Sequence, residues 1–199
     1  MYKVGVTGGI GGGKSTLCRC FADMGVPLYN SDQRAKELMV SSGELRSKII
    51  ELFGDRAYLD GVLNRAYLAE QIFNNPELRE SLNAIVHPAV RVDFVEWAES
   101  QVGAPYVMME TAILFGAGLD KFVDTSVAVL APEQLRVERA MSRDNITEEQ
   151  VRARMATQLS DEELHQLAEY TVVNIFQEDL EGSAKRLDQI FKSKSKANG

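Results

Sequence analysis

The 199-residue sequence is poor in the residues that carry redox and metal chemistry. Its only cysteines are Cys18 and Cys20, and its only histidines are His87 and His165. The cysteines stand two apart on a helical pattern, so they point to different faces. They read as core or half-buried residues rather than as a disulfide or metal pair. Two histidines so far apart do not suggest a zinc site. Long apolar runs are also missing: residues 106–119, the richest stretch, are broken by Glu110 and too short to span a bilayer. The opening residues read as a core strand and not as a signal peptide. The expected location is therefore cytoplasmic, with no membrane partner. Positive charge is in deficit, 22 Lys and Arg against 29 Asp and Glu, for a net charge of −7. That argues against nucleic acid as a partner, since a surface tracking a phosphate backbone wants surplus cations. Internal repeats and low-complexity linkers are absent. What remains is an ordinary globular composition, 45% apolar and 26% charged, long enough for one large domain or a core with an insertion.

Against that background one stretch stands out. Gly8-Gly9-Ile10-Gly11-Gly12-Gly13-Lys14-Ser15 follows the apolar run Tyr2 to Val6 and fits G-x-x-x-x-G-K-[ST]. A chain turning tightly around a phosphate needs dihedrals that a Cβ forbids, and five glycines in six residues supply them. The turned amides of Gly8, Gly11, Gly12 and Gly13 then face phosphate oxygens beside the positive end of the next helix. Lys14 is expected to reach the β- and γ-phosphates, and the Ser15 hydroxyl to bind Mg²⁺. The motif's context is present, a strand before and a helical pattern over residues 15–23 after. The expectation is a site for a nucleoside triphosphate, ATP with Mg²⁺.

Val26 to Tyr29 reads as a second strand, and Asn30-Ser31-Asp32 as the cap and first turn of a helix reaching Val40. Ligands of an open parallel sheet bind at the carboxyl ends of its strands, which puts Asp32 on the rim of the phosphate loop. A carboxylate serving only the helix dipole is the other reading. Residues 41–103 are mostly helical. They show a helix from Gly43 to Phe53, a turn at Asp60-Gly61, a helix from Asn64 to Phe73 and a start signal at Asn75-Pro76-Glu77. A break is expected at His87-Pro88, then a helix to about Gln101. This is more chain than a simple crossover needs, so it reads as an inserted helical subdomain for a second substrate. Residues 105–110 form a buried strand ending in Glu110, which either orders Mg²⁺ or touches substrate, or merely finishes the strand. Thr125 to Leu130 is the next strand.

Arg136, Arg139 and Arg143 share one helix face. They form either a solvated face paired with Glu133 and Glu138, or a mobile arm that neutralises a transferring phosphoryl. Capping boxes at Thr147 and Ser160 open two further helices, giving a hairpin lid. Thr171 to Ile175 is the last strand, residues 180–191 the last helix, and residues 192–199 a frayed tail. The fold class is α/β: a P-loop NTPase, three-layer α/β/α, with a five-stranded parallel sheet, an inserted helical substrate domain and a helical lid. The nucleotide-binding core spans residues 1–32, 104–131 and 168–199, the acceptor subdomain 33–103 and the lid 132–167. An Asn/Thr-Lys-x-Asp base-reading motif is missing, which disfavours a guanine-nucleotide switch. A short core with a helical insertion and an arginine-rich lid fits a small-molecule kinase, which must exclude water from ATP. Asp32 would accept or orient the proton of the acceptor hydroxyl.

Several segments carry a family resemblance over essentially the whole chain. They are Val6 to Thr16 with its Thr-Gly-Gly-Ile prefix, Asn30-Ser31-Asp32, Gly61 to Arg65, Phe73, Leu82 to Pro88, Arg139 to Asp144, Gln158 and Ala168 to Asn174. Their order and spacing resemble the dephospho-CoA kinase family. The resemblance implies ATP-dependent phosphorylation of the 3′-hydroxyl of the ribose of dephospho-CoA, the last step of coenzyme A synthesis. It implies the acid/base place for Asp32, acceptor contacts for Thr7, Arg65, His87 and Glu110, nucleotide contacts for Thr16 and Arg139, and an arm closing on ATP for Arg143. ATP and dephospho-CoA are the expected partners of a monomer or weak homo-oligomer. The chain departs from the family pattern at Asn30, Ala112, Gly116, Arg136, His165 and Glu169, where Asp, Pro, Glu, Gln, Lys and Asp are usual. A P-loop regulatory protein, or a kinase for another small hydroxyl acceptor, are the alternatives.

Overall fold

The first strand, β1 (Tyr2–Thr7), is paired on both edges and buried along nearly its whole length. The glycine loop leads from it into α1 (Lys14–Asp23), which ends at Met24 and Gly25. β2 (Leu28–Asn30) follows and passes directly into α2 (Ser31–Ser41). The computed structural model describes residues 1–73, 75–176 and 178–197. It divides at this junction into two units, Met1–Asn30 with Trp97–Gly199, and Ser31–Glu96.

The unit Ser31–Glu96 is helical apart from one small hairpin. α3 (Gly43–Phe53) is capped by Ser42, whose hydroxyl accepts from the Leu45 amide at 3.2 Å. β3 (Tyr58–Leu59) and β4 (Val62–Leu63) pair antiparallel around Asp60 and Gly61, both at positive φ, which is the two-residue turn expected there. α4 (Arg65–Phe73) starts on Asn64, whose Oδ1 accepts from the Tyr67 amide at 3.2 Å. α5 (Pro76–Ser100) runs unbroken for 25 residues with Pro88 inside it. The expected break at His87-Pro88 therefore does not occur. Val86, Val90, Phe94 and Ala98 are buried at four-residue spacing through and beyond the proline. Only a continuous helix buries that stripe, and its burial outweighs the roughly 3 kcal/mol an interior proline costs. Arg34 of α2 clasps Asp93 of α5 through both carboxylate oxygens, at 3.0 and 2.5 Å. Those hydrogen bonds hold the Arg34 pKa above its ordinary value.

In the other unit β5 (Tyr106–Glu110), β6 (Thr125–Leu130) and β7 (Tyr170–Val173) join the first two strands in a parallel sheet of order β2-β5-β1-β6-β7. α6 (Glu133–Asp144), α7 (Glu148–Met155) and α8 (Asp161–Leu167) lie between the last two strands in the chain. Thr147 with Gln150, and Ser160 with Glu163, form the two capping boxes the sequence announces. α9 (Glu178–Ala197) follows β7. Register positions the site: Glu110 lies opposite both Val6 and Asn30, so β1, β5 and β2 finish together.

Val4, Val6, Met108, Val127 and Val129 turn to one face, where Leu17 and Phe21 of α1 and Leu180, Leu187 and Phe191 of α9 cover them. Phe191 meets three rings, Phe21, Tyr106 and Tyr170, at centroid distances of 6.2, 5.5 and 5.7 Å. The expected fraying of residues 192–197 is not seen, because they are the last turns of α9. Lys192 pairs with Asp188 at 2.8 Å, Lys194 pairs with Glu169 at 2.5 Å, and Ser195 Oγ donates to the Pro105 carbonyl. Lysines at a helix C-terminus also favour its dipole. Asn198 and Gly199 lie outside the described residues. No helix among the described residues is long and apolar enough to cross a membrane. Phe191→Ala should cost about 3–5 kcal/mol of stability in urea denaturation. A loss below about 1 kcal/mol would show that α9 does not belong to the cooperative core.

Candidate active site

The loop after β1 (residues 8–13) takes its shape from contacts behind it. The Gly12 amide donates to the Gly9 carbonyl at 3.1 Å, and the Gly13 carbonyl accepts from Thr16 and Leu17 as α1 begins. Gly13 has φ 99°, and a Cβ there would stand 2.0 Å from Asn174 Nδ2, so the position demands glycine. Asn174 is buried just past β7 and donates that Nδ2 to the Gly12 carbonyl at 2.9 Å, while its Oδ1 has no partner. The Ile10 amide donates to Gln158 Oε1 at 2.8 Å. Lys14 folds back, its Nζ donating to the Gly8 carbonyl at 2.8 Å and reaching that of Gly9 at 3.5 Å. Thr7 is fully buried, with its hydroxyl unpartnered.

In front of the loop is a cleft of about 330 Å³ lined by Gly11, Gly13, Ser15, Thr16 and four cations: Lys14, Arg19, Arg139 and Arg143. Among the described residues no carboxylate lines it, although the chain carries a net charge of −7. Clustered cations beside the first amides of a helix make a polyanion site. Arg139 is held at the end of β7, donating to the Asn174 carbonyl at 3.1 Å and the Ile175 carbonyl at 3.0 Å. Arg143 is exposed and grips Asp144 with two hydrogen bonds, at 2.8 and 2.9 Å. They raise the Arg143 pKa and lower that of Asp144. Arg19 has no place in the motif. Its spacing of four from Ser15, which puts both on one helix face, is the signal that marks it.

At the edge of the cleft Ser15 Oγ donates to Glu110 Oε1 at 2.5 Å, and Asn30 Nδ2 donates to Glu110 Oε2 at 3.2 Å. Asn30, where the family usually has Asp, thus stays a polar partner of the same carboxylate. Hydroxyl and carboxylate oxygens, few in number, suit Mg²⁺, which keeps several waters and takes phosphate oxygens. Among the described residues no group of three or more His, Cys, Asp and Glu could hold a metal by protein alone.

Asp32, Arg65 and His87 belong to the unit Ser31–Glu96. Asp32 is exposed in the first turn of α2, Arg65 is the exposed first residue of α4, and His87 is half-buried in α5. Burial first, and then the charge of Arg91, hold the His87 pKa below its ordinary 6.5. Arg136 is neither on a solvated face nor in a mobile arm: it is buried and donates Nε to the Ile10 carbonyl at 3.1 Å. Gly116 sits in open space, so its departure from the family pattern disturbs no packing.

The family model for dephospho-CoA kinase matches residues 2–178. The chain is similar to the dephospho-CoA kinase of Salinibacter ruber, with 44% identity over 178 residues, 87% of this chain and 89% of the relative. It is also similar to that of Porphyromonas gingivalis, with 41% identity over 175 residues, 87% and 86% of the two chains. A crystal structure from Thermus thermophilus has a TM-score of 0.81 and 33% identity, covering 94% of this chain and 95% of that one.

Two outcomes are expected. Glu110→Gln should raise the Mg²⁺ concentration for half-maximal ADP release about tenfold, the order of one lost charged contact; an unchanged midpoint would leave Glu110 a strand-ending acid. His87 has a folded pKa below its unfolded one, so as pH falls the unfolded state takes the proton first. Its contribution is complete above pH 6.5 and is lost below it. His87→Asn should therefore flatten the fall of Tm below that pH, and an unaltered slope would assign the fall to other groups.

Proposed function

Because the chain belongs to the dephospho-CoA kinase family, we infer that this cleft transfers the γ-phosphoryl of ATP to the 3′-hydroxyl of the ribose of dephospho-CoA, giving coenzyme A and ADP. The chain is a kinase, a phosphotransferase acting on a hydroxyl acceptor. One observation carries the chemistry: four cations and the loop amides converge on a cleft whose edge holds Ser15 against Glu110. Phosphoryl transfer asks for positioning and charge neutralisation rather than covalent catalysis.

Lys14 exchanges the Gly8 carbonyl for the β- and γ-phosphates, and the amides of Gly11 to Thr16 hold the phosphate chain. Arg139, anchored at the end of β7, and Arg143, exposed on the last turn of α6, neutralise the transferring group. Arg143 trades Asp144 for phosphate oxygens as it does so. Ser15 and Glu110 would hold Mg²⁺, which when bound would offset the negative charge of the phosphates. Asp32, two residues after Asn30 in the chain, takes the proton of the acceptor hydroxyl. Arg65 offers a planar fork to the acceptor's phosphates, and His87, neutral at pH 7, offers a hydrogen bond. The reading is of a cytoplasmic enzyme, monomeric or weakly self-associating, with small molecules as its partners.

ADP release with Mg·ATP tests the acceptor, using dephospho-CoA, adenosine, nucleoside monophosphates or no acceptor. Release dependent on dephospho-CoA with an equal yield of coenzyme A is expected; equal release with every acceptor, or with none, would overturn the assignment. Asp32→Asn should lower kcat by about 10²–10⁴ while ATP affinity stays within about twofold. Equal losses in both would make the carboxylate structural.

A further inference from the structure

We propose that Arg136 is a positioning residue that sets the phosphate loop in its anion-binding shape and ties that shape to the segment α6–α8. The proposal deepens the reading of this cleft as an ATP site and rests on it.

The phosphate-loop pattern demands glycine at positions 8 and 13 and leaves the positions between them open. Gly9 and Gly11 are nevertheless glycines here. A Cβ on Gly9 would stand 2.0 Å from Arg136 Nη2, and one on Gly11 would stand 2.1 Å from the Arg136 carbonyl oxygen. One residue of α6 therefore fills two notches of the loop, its side chain in the first and its backbone in the second.

Ile10, between the notches, is attached three ways. Its carbonyl accepts from Arg136 Nε at 3.1 Å, and its amide donates to Gln158 Oε1 at 2.8 Å. Its side chain joins Val137, Ala140 and Val151 in a small core of their own. The far end of the guanidinium, Nη1, pairs with Asp161 at the start of α8. Arg136 is only 5% exposed, and a buried guanidinium is stable only with its donors matched. The consequence lies in the Ile10–Gly11 peptide. Carbonyl and amide of a trans peptide point opposite ways, so holding the Ile10 carbonyl on Arg136 directs the Gly11 amide away from that guanidinium. Gly11 lines the cationic cleft. Arg136 thus aims an amide at the phosphates without touching them.

The test is calorimetric titration of Mg·ATP without acceptor, alongside Tm and the kinetic constants. Arg136→Lys retains a cation for Asp161 but has no Nε–H for Ile10. It should weaken ATP about tenfold, the worth of one charged hydrogen bond, with the dephospho-CoA KM within about twofold and Tm close to wild type. Asp161→Asn removes the other restraint and should also weaken ATP, by a smaller factor; it keeps the test open if Arg136→Lys does not fold. Gly9→Ala should weaken ATP in the wild-type background and have little further effect beside Arg136→Ala, where the notch is empty. ATP affinity within twofold of wild type in both Arg136→Lys and Asp161→Asn would overturn the proposal. A fall in Tm with ATP binding intact, or an equal cost of Gly9→Ala in both backgrounds, would also overturn it. Failure of the dephospho-CoA assignment would appear in the ADP assay and leave these titrations unchanged, so the two are separable.

Discussion

A trans peptide cannot aim its amide at an anion without aiming its carbonyl the other way. A loop that offers several amides to one phosphate chain therefore turns several carbonyls into the protein, and each needs a donor. Here the Gly8 carbonyl receives Lys14, Gly9 the Gly12 amide, Ile10 the Arg136 guanidinium and Gly12 the Asn174 side chain. Those donors come from α1, from the loop itself, from α6 and from the end of β7. Much of the unit's topology follows from bringing them behind one loop. β7 sits two strands from β1 so that Asn174 arrives beside Gly13, and α6 leaves β6 at the loop's back.

The sheet meets a second demand in the same way. Oxygen-bearing side chains gather beside the loop's serine because parallel strands finish at one end together. β5 lies between β1 and β2, so Glu110 at its end comes within hydrogen-bond reach of Asn30 at the end of β2, and on its other side reaches Ser15 just past β1. Lys14, Arg19, Arg139 and Arg143 line the same cleft. An acidic chain thus gathers four cations at one cleft, which net charge alone would not reveal.

Features decided by a few adjacent residues were legible in the sequence. The phosphate loop, both capping boxes and the Asp60-Gly61 turn are local patterns with local physics, and each stands where expected. The misreadings share a different cause. Pro88 stays helical because of a buried stripe running to Ala98, and residues 192–197 stay helical because Glu169 and Pro105 hold them. Arg136 looked like part of an exposed row, but its partners, Ile10 and Asp161, lie 126 and 25 residues away. Glu110 was legible as an acid at a strand end, but not its pairing with a serine 95 residues earlier. Spacing shows which residues share a face; it does not show what covers the face.

The place of α9 has a consequence for how the protein is made. β1 emerges first during synthesis, yet its partners β5 and β6 begin at Tyr106 and Thr125, and the ring that closes over its face is Phe191. Val4 and Val6, fully buried in the finished molecule, share α1's Leu17 and Phe21 as early cover, but the cover given by α9 comes only when residues 180–191 have been made. Parallel pairing across such separations is slow and leaves apolar surface open while it waits. Closing this core thus joins residues at opposite ends of the sequence, and a chain that lacks residues 180–191 leaves one face of the sheet without half of its cover.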